Sequence, residues 1–250
     1  MTNSVLRIAM WSGPRNISTS LMRSWESRGD AMVTDEPFYG YYLEKTDSNH
    51  PMKDEVIQSQ ETDWRKVAKW LNGPSENGKP IWYQKHMAQH FLPEMEINWI
   101  SGLINCFLIR EPEQVIASYY AKREVVSLDE IGYRQQVQLL EFEKVRTNKI
   151  PPVLDCKDVL ENPEKLITLL CQKLGVPFTK RMLSWPKGRR VTDGVWGKHW
   201  YDKVEDSTEF LPYNPKITDL PNELVGICKE ANEYCLLYTS PSTRDRGCSR

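Results

Sequence analysis

Along the whole chain, short apolar runs alternate with longer stretches whose apolar residues recur at helical spacing. Ile8–Met10, Ala31–Thr34, Pro80–Gln84, Ile104–Ile109 and Pro152–Asp155 read as strands. Between and after them, 18–28, 55–71, a stretch opening at Pro112, 132–145, 162–174 and 220–234 read as helices. Strands that alternate with helices pair in parallel, because the crossover helix returns the chain to the same edge of the sheet. The expected fold is therefore α/β: a three-layer, doubly wound sandwich with a mostly parallel central sheet. At 250 residues, 40% hydrophobic and 27% charged, the chain fits one large domain over 1–235. Leu236–Arg250 (L-L-Y-T-S-P-S-T-R-D-R-G-C-S-R) breaks into a polar tail that reads like a translated cloning scar, and it is expected to be disordered.

The first strand leads into the most informative stretch, I-A-M-W-S-G-P-R-N-I-S-T-S-L-M-R-S-W. It turns through Ser12-Gly13-Pro14, presents Arg15, and enters a helix at Ser18-Thr19-Ser20. Exposed N–H groups and the helix dipole at such a point attract phosphate or sulfate, and Arg15 adds a planar fork of donors. The alternative is an ordinary strand–turn–helix with a solvated arginine. No G-x-x-x-x-G-K-[ST] is present, which disfavours a common ATPase or GTPase.

Other chemistry-bearing residues also fall at strand ends, where ligands of open α/β sheets gather. Asp35-Glu36 closes the second strand ahead of Pro37; either acid suits an acceptor or Arg15, or serves as a cap. Lys85-His86 follows the third strand. His86 suits a general base or a structural role, and its i, i+4 spacing to His90 lacks a third ligand for a metal. Arg110 ends the fourth strand, and Ser118 lies about two helical turns on, facing the same cleft. Lys187, Arg189 and Arg190 form the densest basic cluster, with Gly188 between them. They suit an anion clamp or a solvated loop. The aromatic residues Phe38, Tyr39, Tyr41, Tyr42 and Trp82 either pack or line an apolar acceptor pocket.

The composition narrows the function classes. A net charge of −1 supplies no global field for nucleic acid or a membrane surface. No apolar run approaches the ~18 residues that span a bilayer. Met1–Arg7 lacks the pattern of a signal peptide. Six cysteines without a C-x-x-C pair argue against zinc and against a disulfide framework, so a cytoplasmic, reducing setting is expected.

Taken together, these segments resemble the PAPS-dependent sulfotransferases, in particular the compact soluble members with a P-loop-like anion-binding loop. Pro14–Thr19 is similar to the family's P-K-S-G-T-T loop, with Arg15 at the lysine and Ile17 at the glycine. Gln84-Lys85-His86 through Leu92-Pro93 resembles its K-T-H…L-P segment. Arg110–Tyr120 matches R-x-P-x-x-V-x-x-S-Y-Y, Leu154–Phe178 resembles Y-E-D-L…P…L-G-L-P-F, and Lys187–Arg190 stands in the place of the late R-K-G loop.

The resemblance implies transfer of a sulfuryl group from PAPS to a hydroxyl or amine of a small-molecule acceptor, without a metal. It makes His86 the base, with Glu36 as second candidate, and Arg15 and Lys85 the stabilisers of developing charge. Arg15, Asn16, Ile17, Ser18, Thr19 and Ser20 are implied at the 5′-phosphosulfate. Arg110, Ser118, Lys187, Gly188, Arg189 and Arg190 are implied at the 3′-phosphate. The competing expectations are a small-molecule kinase on the same kind of sheet and an inert nucleotide-binding module.

Overall fold

The computed structural model describes residues 5–123, 126–214 and 220–239. Five strands, β1 (Leu6–Ser12), β2 (Ala31–Asp35), β3 (Ile81–Met87), β4 (Ile104–Ile109) and β5 (Val153–Asp155), form one sheet in the order β2-β3-β1-β4-β5. Every pairing in it is parallel. From β1 the chain goes to the edge strand β2, returns to β3 between the two, then crosses to the other side of β1 with β4 and β5. The loop leaving β1 therefore sits at the point where the winding reverses, which is where such sheets bind ligands.

Alternation along β1 sorts its side chains onto two faces. Ile8 and Met10 join Leu21, Trp25, Tyr83, Cys106, Ile167 and Leu170 in one core layer. Ala9 and Trp11 join Val67, Leu71, Trp82, Phe107 and Leu139 in the other. The sheet thus lies between the Ser18–Ser27 and Pro163–Leu174 helices on one side and the Trp64–Leu71 and Tyr133–Thr147 helices on the other. This is the three-layer α/β architecture expected from the alternation of apolar runs. The Asn222–Thr239 helix covers the Pro112–Arg123 helix, where Leu224, Cys228 and Ala231 meet Val115, Ile116 and Tyr119.

Four local readings change. The single helix expected over 55–71 is two, Lys53–Ser59 and Trp64–Leu71. Asp63 is the reason: its Oδ1 accepts the Arg65 N–H at 2.9 Å and starts a new helix. The third strand does not end at Gln84. It runs on to Met87, because β1 pairs with it as far as Ser12↔Met87 and β2 as far as Asp35↔Lys85. The aromatic stretch after β2 forms the Tyr39–Lys45 helix. The last helix passes Tyr234 and reaches Thr239, four residues into the expected tail, since Leu236-Leu237-Tyr238 continues a helix as well as it begins a loop. The rest of that tail, 240–250, lies outside the described residues.

Candidate active site

The loop after β1 is shaped by a close approach. A Cβ at Gly13 would stand 2.6 Å from the carbonyl oxygen of Ile131, so only glycine lets the 127–132 segment lie across it. Asn16 closes the turn by donating through Nδ2 to the Gly13 carbonyl at 3.1 Å, and Cys156 Sγ lies 3.6 Å from its Oδ1. Arg15 adopts a left-handed φ of 59°, and its side chain reaches the Pro112–Arg123 helix. Its Nε donates to Ser118 Oγ at 3.0 Å, while Arg110 Nη1 donates to the Arg15 carbonyl at 2.6 Å. The Tyr133 hydroxyl in turn donates to the Arg110 carbonyl at 2.8 Å.

Arg15, Arg110 and Ser118, drawn from a loop, a strand end and a helix, therefore meet. Burial first, and the Arg110 charge second, push the Arg15 pKa below its ordinary value. The guanidinium groups of Arg15 and Arg110 are near enough to repel each other, and an anion that joins them relieves the repulsion. The Ser18–Ser27 helix opens beside them with Ile17 as its N-cap and no side-chain cap, leaving its first-turn N–H groups facing the same loop. Ser18 is buried there, and Thr19 and Ser20 are half-buried.

A second cluster lies on the other side of β1 from β4, at the ends of β2 and β3. Lys85 Nζ is 2.8 Å from Asp35 Oδ1 and 2.6 Å from Glu36 Oε1. The Tyr201 hydroxyl stands 2.6 Å from Lys85 Nζ and donates to Asp35 at 2.7 Å, and the Trp196 indole N–H donates to that hydroxyl at 3.1 Å. The Gly194 N–H donates to Asp35 Oδ2 at 3.1 Å. Burial raises the pKa of Glu36 against the pull of Lys85. Burial also works against the Lys85 ammonium, but the two carboxylates outweigh it and hold its pKa above the ordinary value. Tyr201, Trp196 and Asp35's link to Gly194 were not readable beforehand; the only signal was the aromatic density of G-V-W-G-K-H-W-Y.

Lys85 and His86 point to opposite faces of the sheet, as consecutive strand residues must. The His86 ring stacks on Trp11 at 4.3 Å and lies near Phe38 and Trp99. Its Nε2 is 3.2 Å from Gln84 Oε1, and burial pushes its pKa down to about 3. His90 stacks against the rings of both Tyr39 and Tyr42, and burial, followed by the charges of His50, Lys85 and His86, drives its pKa well below the usual value. Of the aromatic residues singled out by sequence, Phe38, Tyr41 and Trp82 belong to one core layer and Tyr39 and Tyr42 to a smaller cluster with Trp196 and Tyr201.

The basic loop is held elsewhere. Lys187 pairs with Asp206 at 3.0 Å, the Gly188 N–H donates to the Glu205 carbonyl, Arg189 donates to the Gly194 carbonyl, and Arg190 lies 3.7 Å from Glu26. Asp193 anchors the loop through a fully buried pair with Arg23 at 2.6 Å. Glu26 is eight residues beyond Ser18, about 12 Å along the helix at 1.5 Å per residue. The structure thus gathers Arg15, Arg110 and Ser118 but does not gather Lys187, Gly188, Arg189 and Arg190 with them. Among the described residues, no group of three or more His, Cys, Asp or Glu side chains forms a metal site. Among the same residues, no helix is long and apolar enough to cross a membrane.

Residues 6–224 match the family described as "Sulfotransferase domain". Two solved structures share the fold. The "Sulfotransferase Domain from the Curacin Biosynthetic Pathway" superposes with a TM-score of 0.53 at 16% identity, covering 92% of this chain and 97% of that one. The sulfotransferase from Alicyclobacillus acidocaldarius does so with a TM-score of 0.51 at 10% identity, covering 97% and 99%. In sequence the chain is 32% identical over 204 residues to the "Branched-chain-amino-acid aminotransferase-like protein 2" of Arabidopsis thaliana, and 34% identical over 203 residues to its protein 1. Each match covers 81% of this chain but only 36% of the relative, so the chain spans about a third of the length of those proteins.

Proposed function

The chain belongs to the family of sulfotransferase domains, and from that premise we propose that it moves a sulfuryl group from PAPS to a hydroxyl or amine of a small-molecule acceptor. The observation that carries the reading is the convergence of Arg15, Ser118 and Arg110 beside an uncapped helix N-terminus. Two guanidinium forks, a hydroxyl and free amides suit two phosphate-type groups held close together, as in a doubly phosphorylated adenosine. In this reading Arg15 with Asn16, Ile17, Ser18, Thr19 and Ser20 holds the 5′ end, and Arg110 with Ser118 holds the 3′-phosphate. PAPS supplies the activated sulfuryl group. Arg15 meets the charge that develops as it transfers.

Glu36 serves better than His86 as the proton acceptor. An imidazole pushed down to about 3 and packed against Trp11 is a weak base. A carboxylate raised by burial is a stronger one, and Glu36 follows β2 at the edge where ligands gather. Lys85 acts as the counter-ion of Asp35 and Glu36 rather than on the moving group. Lys187, Gly188, Arg189 and Arg190 take little part, since their contacts run to Glu26, Glu205, Asp206 and Gly194.

Thermal unfolding in the presence of 3′,5′-ADP, PAPS, ATP and GTP tests the donor assignment. The first two are expected to raise the transition temperature and the last two to leave it unchanged. Stabilisation by ATP in preference to 3′,5′-ADP would replace this reading with a kinase.

A further inference from the structure

The buried cluster at the ends of β2 and β3 has a hub. The Tyr201 hydroxyl touches three of its members and reaches the fourth: 2.6 Å to Lys85 Nζ, 2.7 and 2.9 Å to the two oxygens of Asp35, 3.1 Å to Trp196 Nε1 and 3.4 Å to Glu36 Oε1. Two carboxylates share one ammonium here, so one negative charge is left over in a space with little water. Exposure decides which acid can exchange a proton. The side chains of Lys85 and Asp35 are 1% and 2% exposed, whereas Glu36 is 11% exposed.

We propose that Tyr201 is a positioning residue: by satisfying Asp35 and accepting from Lys85, it fixes that ion pair and leaves Glu36 as the one carboxylate of the cluster that takes up and releases a proton. Tyr201 supplies the hydrogen bond that Asp35 would otherwise draw from Lys85 alone, so the ammonium remains shared with Glu36. Tyr201 arrives from the segment after the basic loop, and the same segment is pinned to Asp35 by the Gly194 N–H and to the first helix by Asp193. The proton-exchanging group is thereby assembled from β2, β3 and a segment more than a hundred residues later in the chain. Two further titratable groups face the cluster: Tyr39, from the helix after β2, whose pKa is raised by burial and by the Glu36 charge, and His90, from the turn after β3, whose pKa is lowered by burial and by the Lys85 charge among others.

The inference rests on the sulfuryl-transfer reading only for what the proton is for, and its test needs no acceptor. The carboxyl carbons of protein labelled at Asp and Glu are titrated by NMR, with signals assigned through Glu36→Gln and Asp35→Asn. In the wild-type protein the Glu36 signal is expected to titrate above the ordinary glutamate range, with no proton uptake at Asp35 before it. In Tyr201→Phe the Glu36 midpoint is expected to rise by about one pH unit or more, as Asp35 claims Lys85. Proton uptake at Asp35 ahead of Glu36 in the wild-type protein overturns the proposal whether or not the variant folds, and so does an unmoved Glu36 midpoint in a folded Tyr201→Phe. Stabilisation by 3′,5′-ADP is read separately in both proteins. Its loss in the wild type would remove the donor reading while leaving the titration result standing.

Discussion

At the scale of single residues, the site divides into parts that a linear reading can find and parts that it cannot. Arg15, Arg110 and Ser118 were legible because each sits at a fixed offset from a strand end or helix start, and the fold brings all strand ends of a parallel sheet to one edge. Tyr201 was not, because nothing local in its neighbourhood says that it will meet Lys85. The burial of His86 also escaped notice, since the strand was expected to stop two residues before it. Arg110 is the residue on which the donor reading depends most. Arg110→Ala removes a charged donor from the Arg15 carbonyl and from the proposed phosphate. The loss of charge-assisted hydrogen bonds is expected to weaken 3′,5′-ADP binding by about tenfold to a hundredfold. Calorimetric titration measures this directly, and an unchanged affinity rules the role out.

At the scale of elements, the sheet and its flanking helices follow from period and spacing, while their boundaries follow from capping and pairing. The split between the Lys53–Ser59 and Trp64–Leu71 helices illustrates the first. Apolar spacing alone ran through it, but a side-chain acceptor at Asp63 satisfies a first-turn N–H and makes a new start cheaper than continuation. Asp63→Ala is expected to destabilise the fold by about 1 kcal/mol, read as a lower urea midpoint with an unchanged slope. The extension of β3 to Met87 illustrates the second. Polar Lys85 and His86 were expected to follow the strand rather than belong to it. In the fold Lys85 is neutralised by Asp35 and Glu36, and His86 is buried against an indole, so both stay within the strand. The basic loop makes a related point: its charges stood out in the sequence, yet it is the buried Asp193 that ties it to the first helix through Arg23.

For the whole molecule, the buried imidazoles set how stability depends on pH. Burial pushes the pKa of His50 down to about 4 and that of His86 to about 3, and drives His90 well below its ordinary value. Between those values and the unfolded value near 6.5, the unfolded chain binds protons that the folded chain refuses. Stability is therefore present above about pH 6.5 and is lost as pH falls toward 4. Glu36 and Asp155 work the other way, since burial raises their pKa values and lets the folded state keep protons that the unfolded chain releases, but they are two groups against three histidines. Urea midpoints are expected to be lower at pH 5 than at pH 7, and an equal or higher midpoint at pH 5 would contradict the buried neutral imidazoles. The architecture itself was legible from the alternating pattern, because a central strand with apolar residues on both faces requires cover on both sides. What lies beyond this stretch in its longer Arabidopsis relatives concerns those proteins, since the match occupies 36% of each.

The neighbouring guanidinium groups of Arg15 and Arg110 also bear on how the protein is handled. Two like charges held that near each other attract small doubly charged anions. On the proposed donor reading, sulfate or phosphate in a buffer is expected to compete with the nucleotide there, and affinities measured in such salts are expected to read weaker than those measured in chloride at the same ionic strength.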